Sequence, residues 1–293
     1  MPRPFTQVDV FTDTPYLGNA LAVVHDADGL STEQMQAFAR WTNLSETTFL
    51  LPPTSADADY RVRIFTPSGE LPFAGHPTLG TCHAWLQAGG TPRDRAAGPA
   101  TPSTAPAGGG EDVVVVQECG AGLVPIRVSG SRLAFAAPPL TRSGPLAPDL
   151  LAAITAALGL SPDDVVDAAW TDNGPGWATV LLGSADDVLA LRPAFLDQDI
   201  GVVGPHPEGS ALAFELRAFF PQNGSMAEDP VTGSLNAGVA QWLLETGRAT
   251  APYVACQGTA IARDGRVFVS RDDDGTIWVG GGVVTCVRGT VEL

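Results

Sequence analysis

The 293-residue sequence contains no lysine; all 16 of its basic residues are arginine. We attribute the bias itself to codon usage, but its chemical consequence is firm. An internal Schiff base is excluded, and with it pyridoxal phosphate catalysis, as is the lysine of a nucleotide-binding phosphate loop. Basic charge is scarce altogether: 32 acidic residues outweigh it, for a net charge of −16 and a pI near 4.4. No basic stripe exists to hold nucleic acid. Cysteine is also sparse. Cys82, Cys119, Cys256 and Cys286 are scattered without paired spacing, which argues against a zinc site and for a reduced, cytoplasmic setting. No apolar run approaches the roughly 18 residues of a membrane span. Met1 to Phe5 lacks the apolar core of a secretory signal.

What is present is a repeat. Arg63-Ile-Phe65-Thr-Pro67 leads to Gly75-His76-Pro77-Thr78-Leu79-Gly80, then Cys82-His-Ala-Trp-Leu86. Downstream, Arg217-Ala-Phe219-Phe-Pro221 leads to Glu228-Asp229-Pro230-Val231-Thr232-Gly233, then Val239-Ala-Gln-Trp-Leu243. The arginines lie 154 residues apart and the prolines 153, so a one-residue gap aligns them. We read a duplicated strand–loop–helix unit. Proline is tolerated in a first helical turn, so the helices are expected to begin at Pro77 and Pro230, just after His76 and Asp229. Both helices are apolar nearly all round, as befits helices wrapped by sheet. A helix N-terminus with free N–H groups attracts anions. Two such ends, related by a pseudo-twofold and facing one cleft, would suit a small carboxylate.

Around the repeat, short strands dominate. Residues 5–12, 20–24, 60–65 and 113–117 alternate as strands. Ser31 followed three residues later by Gln34 marks a capped helix start. Residues 47–51 are strand-like, with Glu46 at their entrance. The Gly/Pro/Ala/Thr-rich stretch 89–112 reads as a surface loop. Ile126–Val128 and Arg132–Phe135 form a hairpin, Ala147–Leu158 a helix ended by Gly159, and Ala185–Leu191 another. Residues 253–256, 266–270, 277–279 and 283–287 form a terminal meander. The expected lobes are 1–129, joined by the C-terminal strand 283–293, and 130–282.

Each candidate site residue has a plain structural alternative. Glu46 is either an edge or capping carboxylate or a buried acid. His76 could be a packed loop residue, Asp229 a helix cap, and Ser234 a hydroxyl bonded back to its own helix. His83 lacks a third ligand that would make it a metal site with His76. Cys82 and Cys256 suit a core better than a nucleophile. A non-catalytic small-molecule receptor stays open as a function class. So does a hydrolase using Asp229 or Ser234, although no Gly-x-Ser-x-Gly elbow occurs.

Leu44-Ser-Glu46-Thr-Thr-Phe49, Arg63-Ile-Phe-Thr-Pro67, Leu71-Pro-Phe-Ala-Gly-His76-Pro-Thr-Leu-Gly80 and Glu228-Asp-Pro-Val-Thr-Gly-Ser234 resemble the phenazine-biosynthesis PhzF-like family. Gln257-Gly258 and Gly280-Gly281 fit its C-terminal section, so the likeness spans nearly all of the chain outside the Gly/Pro-rich stretch. The resemblance implies a diaminopimelate-epimerase-like α+β fold: two similar lobes, each a curled, mostly antiparallel sheet around one central helix, with the active site between them. It implies a homodimer. It places the family's acid/base glutamate at Glu46, its loop glycine and histidine at Gly75 and His76, and its second-lobe aspartate and serine at Asp229 and Ser234. Related epimerases use a cysteine at each helix entrance. Here those entrances hold Gly75-His76 and Glu228-Asp229, which favours a one-base isomerase over a two-thiol racemase. The reaction expected is a proton shift within a small carboxylate-bearing substrate, without metal or organic cofactor. Glu46, its pKa raised by desolvation, would carry the proton. His76 and Asp229 would hold and polarise the substrate. Gly75 would contact it, and Ser234 with the helix N–H groups would bind its carboxylate.

Overall fold

A computed structural model describes residues 1–93 and 113–293. Most of the loop expected at 89–112 lies outside these described residues. The chain divides into two units, Met1–Ala136 with Gly280–Leu293, and Ala137–Val279. The division falls after residue 136 rather than 129, because the hairpin strand that follows residue 129 is paired within the first unit.

The first unit contains β1 (Pro2–Val10), β2 (Asn19–Val24), α1 (Thr32–Thr42), β3 (Glu46–Leu51), β4 (Tyr60–Phe65), β5 (Glu70–Leu71), α2 (Gly75–Gln87), β6 (Val113–Cys119), β7 (Gly122–Ser129) and β8 (Arg132–Ala136). Antiparallel pairing links β1 to β2, β3 to β4, β6 to β7 and β7 to β8. Parallel pairing links β2 to β3 and β4 to β6. The chain's last strand pairs antiparallel with β1 and also pairs with β8, so the ladder closes into a ring. Helix α2 runs inside it, in contact with β1, β2, β3, β6 and β8. Its buried surface goes nearly all the way round, including Leu79, Cys82 and Ala84. A Cβ on Gly80 would crowd the side chains of Leu21, Val8 and Val10, so glycine lets this helix lie close to β1 and β2.

Helix α1 is amphipathic and lies on the opposite face of the sheet. Met35, Phe38 and Ala39 pack on Val24, Phe49, Leu51 and Phe65. Its start is a complete capping box, with Ser31 Oγ accepting from Gln34 N–H and Gln34 Oε1 accepting from Ser31 N–H.

The second unit contains β9 (Arg142–Pro145), α3 (Pro148–Leu158), β10 (Val165–Asp172), β11 (Ala178–Leu182), α4 (Ala185–Ala190), β12 (Ile200–Pro205), β13 (Phe214–Gln222), β14 (Ser225–Asp229), α5 (Gly233–Glu245), β15 (Tyr253–Gln257) and β16 (Gly265–Arg271). The order of pairings repeats. β10 meets β11, β12 meets β13, and β15 meets β16 antiparallel, while β11–β12 and β13–β15 are parallel. Each parallel pair brackets a helix, α4 or α5, as β2–β3 brackets α1 and β4–β6 brackets α2. A Cβ on Gly238 of α5 would collide with the Thr171 carbonyl of β10. The two segments expected at 277–279 and 283–287 are one continuous strand, β17 (Ile277–Glu292). Its glycines do not turn the chain. Gly280 lies against Leu133 and Ala134, where a side chain would not fit.

Two expectations about the central helices need correction. Helix α2 begins at Gly75, two residues before Pro77, so His76 lies within its first turn. Helix α5 begins at Gly233, three residues after Pro230, so Asp229 is the last residue of β14 and not a cap.

Candidate active site

In the first unit the site is built at the entrance to α2. After α1, Asn43 adopts the left-handed conformation, and the chain turns into β3 with Glu46 as its first residue. Glu46 pairs with Leu21 in the parallel ladder. Asn19 lies two residues before Leu21 on the same strand, and alternate residues share a face. Asn19 and Glu46 therefore both face α2. There, His76 Nε2 lies 3.1 Å from Glu46 Oε2, with the two side chains 6% and 15% exposed. Asn19 Nδ2 lies 3.4 Å from His76 Nδ1. An amide nitrogen only donates, so Nδ1 accepts and the ring hydrogen sits on Nε2, on the side of Glu46. Burial drives the His76 pKa down to about 3, so the imidazole is neutral. The Nε2 to Oε2 approach is a close polar contact without the alignment of a good hydrogen bond. Catalytic groups commonly show such geometry before substrate tightens them.

Gly75 is the first residue of α2, and the N-cap is Ala74, whose methyl group cannot cap. Among the described residues, no side chain occupies the first-turn N–H groups. Further along the helix, Gln117 Nε2 donates to Thr78 Oγ1 at 2.9 Å, and Tyr60 O–H donates to Gln117 Oε1 at 3.1 Å. Cys82 is wholly buried, and burial pushes its thiol pKa far above the usual range. It is not poised as a base.

In the second unit the corresponding feature is the entrance to α5. Thr232 occupies the N-cap, a residue type that ordinarily caps, yet it makes no cap bond. Its hydroxyl instead donates to Asp229 Oδ2 at 2.5 Å and accepts from Gln257 Nε2 at 2.9 Å. The fully buried Gln257 also accepts from Thr232 N–H and Asn236 Nδ2, and donates to the Asp229 carbonyl. This network fixes Asp229 and holds the Thr232 hydroxyl away from the first-turn N–H groups. Ser234, the second residue of α5, does not bond back to its helix. Trp177 Nε1–H donates to its Oγ at 2.9 Å, and Asn173 Nδ2 donates to its carbonyl at 2.8 Å.

The structure thus brings Glu46 and His76 together beside Gly75, and places Asp229 and Ser234 around one helix start. Sequence reading missed Asn19, Thr232, Gln257 and Trp177. Asn19 beside Gly18 has the composition of a turn, which hides its place in a strand. Gln257 entered only through the Gln257-Gly258 pair that fits the family's C-terminal section, with no role assigned to its side chain. Among the described residues, no three His, Cys, Asp or Glu side chains are grouped to hold a metal ion. No helix there is long and apolar enough to cross a membrane.

Comparison with known proteins identifies the family. The profile of the family described as phenazine biosynthesis-like protein (PhzC-PhzF) matches residues 8–289. The chain is 33% identical over 300 residues to the trans-2,3-dihydro-3-hydroxyanthranilate isomerase of Pseudomonas fluorescens, covering 98% of both chains. It is 34% identical over 311 residues to antisense-enhancing sequence 1 of Schizosaccharomyces pombe, covering 97% of both. The Bacillus anthracis PhzF-family crystal structure superposes with a TM-score of 0.77 at 23% identity, covering 100% of both chains. The chain belongs to the phenazine biosynthesis-like family, and within it is an isomerase.

Proposed function

We propose that this isomerase moves a proton within a small carboxylate-bearing substrate, with Glu46 as the single acid/base and no cofactor. The observation that carries the reading is the Glu46 carboxylate beside a buried, neutral imidazole at an uncapped helix start. Glu46 takes a proton from an activated C–H. The electron pair shifts through the adjacent unsaturated system, and the same carboxyl returns the proton to another carbon on the same face. His76 donates its Nε2 hydrogen to a polar substituent of the substrate, and Gly75 offers its backbone N–H. A neutral imidazole can polarise without competing for the proton.

The duplicated sequence and the repeated order of strand pairings support reading the units as two copies of one ancestral lobe. On that reading Asp229 and Ser234 serve the same substrate as Glu46. Asp229 would orient a polar substituent, while Ser234 and the first-turn N–H groups of α5 would hold the carboxylate. Only one base is assigned. Cys82 is buried within α2, and α5 contains no cysteine. Trans-2,3-dihydro-3-hydroxyanthranilate, the substrate in the relative's name, is the first compound to test.

Glu46→Gln preserves shape but cannot shuttle a proton. It should lower kcat by about 10²–10⁴-fold while leaving the affinity for a non-reacting carboxylate such as 3-hydroxyanthranilate within a few-fold of wild type. Near-normal kcat in Glu46→Gln would assign the chemistry to another group.

A further inference from the structure

We propose that Trp177 is a positioning residue that makes the Ser234 hydroxyl a one-way donor, and so selects carboxylates over primary amides. The inference rests on the proposed role of Ser234 in holding the substrate's carboxylate. An indole N–H can only donate, so the 2.9 Å contact from Trp177 Nε1 consumes acceptor capacity on Ser234 Oγ. The hydroxyl hydrogen is then turned away from the indole, and no acceptor for it lies among the described residues. A freely rotating hydroxyl can either donate to a carboxylate or accept from an amide N–H. Biased by Trp177, it favours donation.

The geometry around Trp177 is built to hold this direction. Trp177 is 4% exposed. Its loop is braced at both ends: Asp172 Oδ1 accepts from the N–H groups of Gly174 and Gly176, each at 2.7 Å, and Gln198 Nε2 donates to the Gly176 carbonyl at 2.7 Å. Gly174 and Gly176 take positive φ of 142° and 100°, a path that glycine allows. Thr171 N–H donates to the Trp177 carbonyl at 3.0 Å and closes the hairpin between β10 and β11. Asn173, from the same loop, holds the Ser234 carbonyl. One short loop thus fixes both the backbone and the hydroxyl of Ser234.

The test compares the Kd of 3-hydroxyanthranilate with that of 3-hydroxyanthranilamide for wild type, Trp177→Phe, Ser234→Ala and the double variant. Phenylalanine keeps the ring and removes the N–H. Wild type should prefer the carboxylate. Trp177→Phe should reduce the preference about 3–10-fold, the worth of one ordinary hydrogen bond. Ser234→Ala should reduce it at least as much, and the double variant no further than Ser234→Ala. If Ser234→Ala loses the preference while Trp177→Phe retains it, the positioning role is wrong. If Ser234→Ala leaves the preference intact, the assignment of Ser234 itself fails, which is a distinct result. Should Trp177→Phe fold poorly, the indole N–H resonance of Trp177 in the otherwise native chain probes the same contact. It should move in Ser234→Ala and on titration with 3-hydroxyanthranilate, and an unmoved resonance would overturn the proposal.

Discussion

The two units hold the same ion pair in different surroundings. In the first, Arg63 grips Glu70 through two hydrogen bonds of 2.7 and 2.6 Å, lies over Phe65, and remains open to water at 25% and 39% side-chain exposure. In the second, Arg217 grips Glu228 through bonds of 3.0 and 2.7 Å and lies over Phe219, with exposures of only 5% and 10%. Both pairs join the strand before a central helix to the short strand that leads into it. The difference is what covers them. Arg63 spends its remaining reach on Thr32 at the start of α1. Arg217 donates to the carbonyls of Val188 and Leu191 at the end of α4. A bidentate pair is retained where the chain must be tied, and its energetic worth is decided by solvent.

The sharpest test of this contrast is substitution of the two arginines. Arg217→Ala strands Glu228 and two carbonyls in a buried setting and should cost about 3–5 kcal/mol. Arg63→Ala should cost about 0–1 kcal/mol. Chemical denaturation of both variants measures it, and equal losses would break the comparison.

A second contrast concerns pH. The buried imidazole of the first unit, His76, has its pKa lowered from 6.5 to about 3. Below pH 6.5 the unfolded chain takes up a proton that the folded chain refuses until about pH 3. The stability from this group is full above pH 6.5 and is lost as pH falls through that window. Of the stability lost between pH 7 and 4.5, about 2 kcal/mol should disappear in His76→Gln, as read by denaturation at the two pH values. An unchanged slope would place the proton elsewhere.

The second unit has the opposite case and the smallest expected effect. Burial, then Asp172 and Asp197, raise the Asp199 pKa from 3.8 to about 6. Here the folded state binds the proton more tightly, so stability falls as pH rises from 3.8 through 6 and stays lower above it. Discounted for solvent screening, Asp199→Asn should gain about 1 kcal/mol at pH 8 and little at pH 4. A gain of the same size at both would sink the electrostatic explanation.

What was legible in the sequence was whatever is local or repeated. The Ser31–Gln34 box, the Gly159 helix stop and the two apolar helices are written in adjacent residues, and the duplicated Arg-x-Phe-x-Pro motif marks the strands that hold the ion pairs. The helix starts were misplaced by two or three residues because proline tolerates several positions in and before a first turn. Strands β10, β12 and β14 escaped notice because their pairing partners, not their own alternation, define them. Residues 277–279 and 283–287 read as separate strands because the glycines between them carry no side-chain pattern, although Gly280 and Gly282 serve close packing. Glu46 and His76 could be named from the sequence, but Asn19 and Trp177 could not. Their roles exist only once distant strands and loops bring an amide to an imidazole and an indole to a hydroxyl.

The central claim is that one carboxyl carries the proton. Its most direct test is turnover of trans-2,3-dihydro-3-hydroxyanthranilate, or whichever related carboxylate wild type converts, in deuterium oxide with the product read by NMR. The account predicts that wild type returns part of the original hydrogen, leaving less than one deuterium per molecule at the receiving carbon, and that Glu46→Gln neither converts nor exchanges. Full deuterium incorporation by wild type, or conversion by Glu46→Gln at a wild-type rate, would contradict it.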